Sequence, residues 1–261
     1  MKRKSVSLIV LLLAALGGCG LRYWNLTAGV DAQGLPRTGH LSAYLMAGWC
    51  MLCLAVFIVL ARTSQGRSRA HSVMFTGRRL AVLGYLGAAL VLLSGILDFA
   101  DALLAGPGIS SPILCLLSLF AGGCLFAVAW MRSHSRAVYP PLELLPEVYL
   151  VVKLILSFKS WSVDPVILDY CVMLFAMLFV VLGFYFSTGF LFEQGRPRLT
   201  LLCAMGACMF SAMAVADGFV DGSAATVVEY LGYIAWLIPV LLCAATPTQD
   251  AAAQITEKQD K

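Results

Sequence analysis

The strongest constraint on this chain is a succession of apolar runs of bilayer length, bounded by basic residues at one end and acidic residues at the other. The clearest example lies between Arg78 and Arg132. Arg78 and Arg79 open an apolar run from Leu80 to Leu97, which ends in Asp98 and Asp101. Gly106-Pro107-Gly108 makes a break, and a second apolar run from Pro112 to Met131 ends in Arg132. A helix needs about 20 apolar residues to cross the hydrocarbon core. Two such runs joined by a short polar turn read as a transmembrane helical hairpin.

Composition extends that reading to the whole chain. Of its 261 residues, 61% are hydrophobic and 12% are charged. A soluble domain carries about 25% charged residues. The mean hydropathy is +0.88. The fold class expected is therefore an all-α integral membrane protein. The net charge of +4 does not point to nucleic acid, because the basic residues sit in short loops on one side of the predicted spans.

Eight spans are expected. The first runs from Ser5 to Leu21 behind Lys2-Arg3-Lys4 and stops at Arg22, Tyr23 and Trp24. Leu16-Gly17-Gly18-Cys19 has the outline of a lipoprotein cleavage box, but Gly17 suits it poorly and an uncleaved helix is the preferred reading. Helix two covers Leu41–Ala61, helix three reaches Leu104 and helix four begins at Ser111 and Pro112. Helix five covers Leu142–Phe158 and is the unusual one, because it contains Glu147 and Lys153. Each charge near a span centre costs about 2.5–3.5 kcal/mol on insertion scales. Helix six runs from Asp164 and Pro165 to Phe192, helix seven from Leu199 to Ala216 and helix eight from Ala225 to Ala245, with Pro239 inside it. Residues 1–132 and 133–247 make two four-helix halves of a single membrane domain, and 248–261 a polar cytoplasmic tail.

Charge sets the orientation. With both termini cytoplasmic, all but four of the 18 basic residues lie on the inner side. Arg22, Arg37 and Lys159 fall outside, and Lys153 falls within the membrane. The loop from Arg62 to Arg79 alone carries five arginines and no acid. This bias puts both ends inside, and the plasma membrane is the expected location.

The two halves share an order of motifs. Leu21-Arg22-Tyr23-Trp24 parallels Phe158-Lys159-Ser160-Trp161, and Gln65-Gly66-Arg67-Ser68-Arg69 parallels Gln194-Gly195-Arg196-Pro197-Arg198. Asp98 and Asp101 close helix three as Asp217 and Asp221 close helix seven. A parallel duplication of a four-helix unit accounts for the order. The common use of aromatic and basic residues at span ends accounts for it equally.

Candidate binding residues gather on the predicted outer side: Asp98, Asp101, Asp169, Asp217, Asp221 and Glu229, with Lys153 below them. Asp98 and Asp101 are three apart, and so fall on one helix face. Lys153 is expected to pair with one of these acids, Asp98, Asp169, Asp217 or Glu229, because a bare intramembrane charge is costly. His40 and Tyr44 sit where they would join the rim. This pattern points to an outward-facing acidic vestibule for a proton or a small cationic solute. The other reading is a non-catalytic module that anchors, senses or assists a partner within the bilayer.

A third reading is enzymatic. The two acidic pairs are similar in spacing to the aspartate-rich motifs of membrane prenyltransferases, whose carboxylates hold magnesium. The likeness stops at spacing. Leu97 stands where an asparagine precedes the first aspartate, and Ala105 where a third aspartate follows. No cofactor is expected. All nine cysteines lie in apolar segments, including the Cys50–Cys53 pair, and are read as small packing residues. No phosphate-binding loop, HExxH or GxSxG occurs.

Overall fold

The computed structural model describes residues 2–29, 40–63, 78–104, 112–134, 136–162 and 170–245. Among them are eight helices: α1 (Lys2–Ala28), α2 (Leu41–Thr63), α3 (Arg78–Leu104), α4 (Pro112–Ser133), α5 (Pro140–Trp161), α6 (Cys171–Thr188), α7 (Pro197–Val220) and α8 (Ala224–Ala244). Seven are long and apolar enough to cross a membrane; α5 matches them in length but carries four charges. The chain is thus a helical membrane protein.

Local chemistry explains most boundaries. Proline occupies the first turn of α5 and α7, where its missing N–H is no loss. The turn between α7 and α8 rests on Gly222 at φ +70°, which a side chain would disfavour. Ser223 then caps α8 by accepting a hydrogen bond from the Thr226 amide.

Three expected boundaries shift. α1 continues past Leu21 to Ala28, so Arg22 lies inside the bundle rather than at a helix end. α6 stops at Thr188, and residues 189–193 form turns in which Glu193 takes a positive φ of 56°. α7 continues past Ala216 to Val220, which puts Asp217 in the helix instead of in a turn. In each polar case, a partner inside the protein removes the reason for the helix to end.

The core is built around α7. In its most apolar stretch, 83% of residues are buried, against 67% for α8 and 11% for α2. α7 is small or apolar on every side, through Ala204, Gly206, Ala207, Ser211 and Ala214, so helices can close around it. It packs against α1, α2, α6 and α8. α2 instead turns Met51, Leu52 and Val59 outward. Exposed leucines and phenylalanines over so much of the surface fit a hydrocarbon environment. The cysteine pair of α2 joins this packing: Cys53 is buried, and Cys50 Sγ lies 3.9 Å from Met213 Sδ.

The two halves do not share a packing pattern. α7 is surrounded by four helices, whereas α3, its counterpart in the motif order, packs mainly on α4 and α8. α5 packs on α4 and α6 and meets α8 through long side chains, not through close backbone approach.

Candidate functional site

Helices α5 and α8 each present a matched pair of polar side chains one turn apart. On α5 these are Tyr149 and Lys153; on α8 they are Glu229 and Tyr233. The i, i+4 spacing puts both members of each pair on one helix face. Where the faces meet, Lys153 Nζ donates to Glu229 Oε2. The other carboxylate oxygen, Oε1, accepts from Tyr233 Oη at 2.6 Å and from Tyr149 Oη at 3.2 Å. Lys153 Nζ also lies 5.9 Å from the centre of the Tyr149 ring, within reach of a cation–π attraction. Glu229 therefore has three donors. An ionised carboxylate accepts but never donates, so these donors suit its charged form.

Asp98 approaches from α3. It is half-buried, and Lys153, Glu229 and Asp101 are its charged neighbours. Tyr230 lies next to Glu229 in sequence. It is fully buried, and its hydroxyl finds no hydrogen-bond partner among the described residues.

Two more ion pairs cross the bundle. Arg22 Nε donates to Asp217 Oδ1 at 2.6 Å and ties α1 to α7. Arg132 Nη2 donates to Glu143 Oε1 and ties α4 to α5, while the guanidinium carbon lies 5.2 Å over the Trp236 ring of α8. One turn along from Glu143, Glu147 keeps a buried Oε2 with no hydrogen-bond partner among the described residues.

The pairs differ in access. The cation side chain is 4% exposed in Arg22, 10% in Arg132 and 19% in Lys153, while each acid is 5% exposed. Lys153 therefore sits deep in the bundle with part of its surface open to a water-sized molecule.

The predicted site residues thus meet different fates. Lys153 and Glu229 come together as the expected pair, with Asp98 a nearby charge that makes no ion pair with Lys153. Asp217 belongs to a separate, sealed pair with Arg22. Asp101 and Asp221 are exposed; Asp221 follows Asp217 by one turn but does not share its burial. Asp169 lies outside the described residues. His40 and Tyr44 do not join the cluster: His40 Nδ1 is 2.6 Å from Ser42 Oγ, which donates to Asn25 Oδ1 at 2.7 Å, and Tyr44 is exposed. The described residues contain no group of three or more His, Cys, Asp or Glu placed to hold a metal.

Sequence reasoning missed Arg22, Arg132 and Glu143 as buried partners and Tyr149 as a ligand of Glu229. One signal was present for Tyr149, which stands four residues before Lys153 on the same helical face. The Arg22 signal was the apolar run that resumes around it, long enough to keep it within a span.

Comparison with known families, curated proteins and solved structures finds no match for this chain.

Proposed function

We propose that this is an eight-span protein of the plasma membrane with both termini cytoplasmic, and that it moves a proton or a small cationic solute through the α5–α8 seam. α5 counts as the eighth span because Glu143 and Lys153 have partners inside the bundle and because the arginine bias then keeps Arg196 and Arg198 inside. The observation that carries the functional reading is the Lys153–Glu229 pair. It is the most accessible of the three ion pairs described above and has two tyrosine hydroxyls on its carboxylate. Ionisable groups inside a membrane are costly and mark ion or proton paths by default.

The chemistry is an exchange of partners. A cation or proton arriving at Glu229 competes with the Lys153 ammonium. Asp98, on α3, offers Lys153 a second carboxylate. Lys153 moving from Glu229 to Asp98 frees one negative site while leaving its own charge compensated. Tyr149 and Tyr233 hold Glu229 in place during the exchange.

A second reading is favoured by the other two pairs. Sealed pairs joining α1 to α7 and α4 to α5 act as structural ties, which suits a non-catalytic module that assists a partner in the bilayer.

The deciding experiment uses the full chain in vesicles loaded with a pH-sensitive dye. A potassium diffusion potential drives protons, and methylammonium serves as the cationic probe. Wild type is expected to acidify or to take up probe faster than empty vesicles. Glu229→Gln is expected to abolish the movement and Lys153→Arg to retain part of it. Rates equal to empty vesicles, or unaffected by Glu229→Gln, would leave the structural reading. Orientation has its own test, cysteine labelling in a background free of native cysteines. Arg198→Cys is expected to react only from the cytoplasmic side, and labelling from outside would refute the topology.

A further inference from the structure

The outward surface between α5 and α6 carries a groove of about 420 Å³. Leu154, Ile155 and Phe158 form one wall, and Leu174, Phe175 and Leu178 form the other. Each set follows helical spacing, so each wall is one stripe of one helix. Both stripes line the groove, and Ile155, Phe158 and Phe175 remain largely exposed. The volume lies within the roughly 300–1,000 Å³ typical of ligand pockets, yet the wall offers only apolar side chains.

What stands at the end of the groove identifies its occupant. Lys159 follows Ile155 by one turn, on the same face, and is exposed. Trp161 and Tyr170 stack beyond it, with ring centres 5.0 Å apart and planes 6° from parallel. Amphipathic aromatics and a lysine on a long stem are the residues that settle at the headgroup level. An apolar trough leading to a cation at that level matches one molecule end to end.

We propose that the α5–α6 groove is a phospholipid site, with an acyl chain lying along Leu154–Phe158 and Leu174–Leu178 and the phosphate of an anionic headgroup meeting Lys159. A polar solute finds no hydrogen bond in the wall. The proposal rests on α5 and α6 facing lipid, and so on the eight-span topology, but not on any movement of ions.

The test reconstitutes the full chain in phosphatidylcholine and phosphatidylglycerol vesicles. A trace of either lipid carries a photoactivatable group on its acyl chain, and adducts are mapped by mass spectrometry. Adducts are expected to concentrate on peptides 154–158 and 174–178, severalfold above those at Met51 and Val59 of α2. Phosphatidylglycerol is expected to outcompete phosphatidylcholine about fivefold, the factor for one basic residue near an anionic headgroup. Leu174→Trp should fill the groove and remove the excess. Lys159→Gln, which leaves the core untouched, should keep the adducts but erase the headgroup preference. Uniform labelling over all lipid-facing helices would overturn the site, as would crosslinks joining two protein copies through the groove. Labelling of every helix except α5 would overturn it together with the eight-span topology. Failure of the flux experiment alone leaves it standing.

Discussion

Helix α8 meets α3 and α5 in opposite ways. Toward α3 the contact is glycine on backbone. A Cβ placed on Gly87 would come within 2.8 Å of the Trp236 amide nitrogen and 2.9 Å of the Gly232 carbonyl oxygen. A Cβ on Gly232 would lie 3.1 Å from the Val91 nitrogen. Toward α5 the backbones stand apart, and Lys153, Tyr149, Glu229 and Tyr233 fill the space. The first seam relies on close approach, the means by which helices associate where lipid removes the hydrophobic drive. The second is bridged by four polar side chains, which on the proposed mechanism change partners. A seam without spare room transmits position, and a seam of long polar side chains permits exchange. α8 is thus fixed on one side and, if the proposed exchange operates, adjustable on the other.

The largest effect should come from breaking the adjustable seam at its charge. Lys153→Met leaves Glu229 buried without a cation. Removing one member of a buried pair costs about 3–5 kcal/mol. Thermal unfolding in detergent should show a clear loss of stability, and Lys153→Met/Glu229→Gln should recover part of it, because no uncompensated charge remains. A single variant as stable as wild type would mean that Glu229 does not depend on Lys153.

The fixed seam should break by a different route. Gly87→Ala adds one methyl against backbone, which cannot rotate away. Overpacking of this kind costs typically about 1–3 kcal/mol, and the loss should appear as lower thermal stability. The same change at Gly20, whose surroundings are open, should have no comparable effect. Equal responses at the two glycines would remove the distinction between the seams.

The two seams were unequally legible in the sequence. The charged seam announced itself, since Lys153 in an apolar run demanded a partner and Glu229 stood among the candidates. The glycine seam gave only a hint. Gly84 and Gly87 read as residues of close packing, but nothing in a linear pattern said that α8 was the helix approaching them. Span existence was readable because hydrocarbon thickness fixes the length of an apolar run. Span ends were less so, because Arg22 and Asp217 each look like a stop signal until the other is known to face it. The motif order suggested paired halves; the packing differs, since α7 is closed in by four helices whereas α3, with small residues of its own at Gly84, Gly87, Ala88 and Ala89, packs mainly on two. The acids resembled one vestibule because sequence gives height in the membrane and not direction around the helix. Asp217 and Glu229 are both buried near the same end, yet each turns to a different cation.

The smallest effects should separate the two tyrosines of the adjustable seam. Both donate to the same oxygen of Glu229, from Tyr233 at 2.6 Å and from Tyr149 at 3.2 Å. A hydrogen bond to a charged group contributes about 1.5–3 kcal/mol, and the shorter bond should lie within that range. Tyr233→Phe removes a hydroxyl on the helix that carries Glu229 itself, so the carboxylate loses its nearest local anchor. Tyr149→Phe removes a longer bond and leaves the ring beneath Lys153, so the cation–π contact persists. Its cost should be about 1 kcal/mol or less. The flux assay should order the variants in the same way if the tyrosines hold Glu229 during partner exchange, with Tyr233→Phe slower than Tyr149→Phe and both faster than Glu229→Gln. If Tyr149→Phe proves the more damaging, the α5 side positions the carboxylate. The anchored element of the exchange would then be α5 rather than α8, and the assignment of fixed and moving sides would have to be reversed.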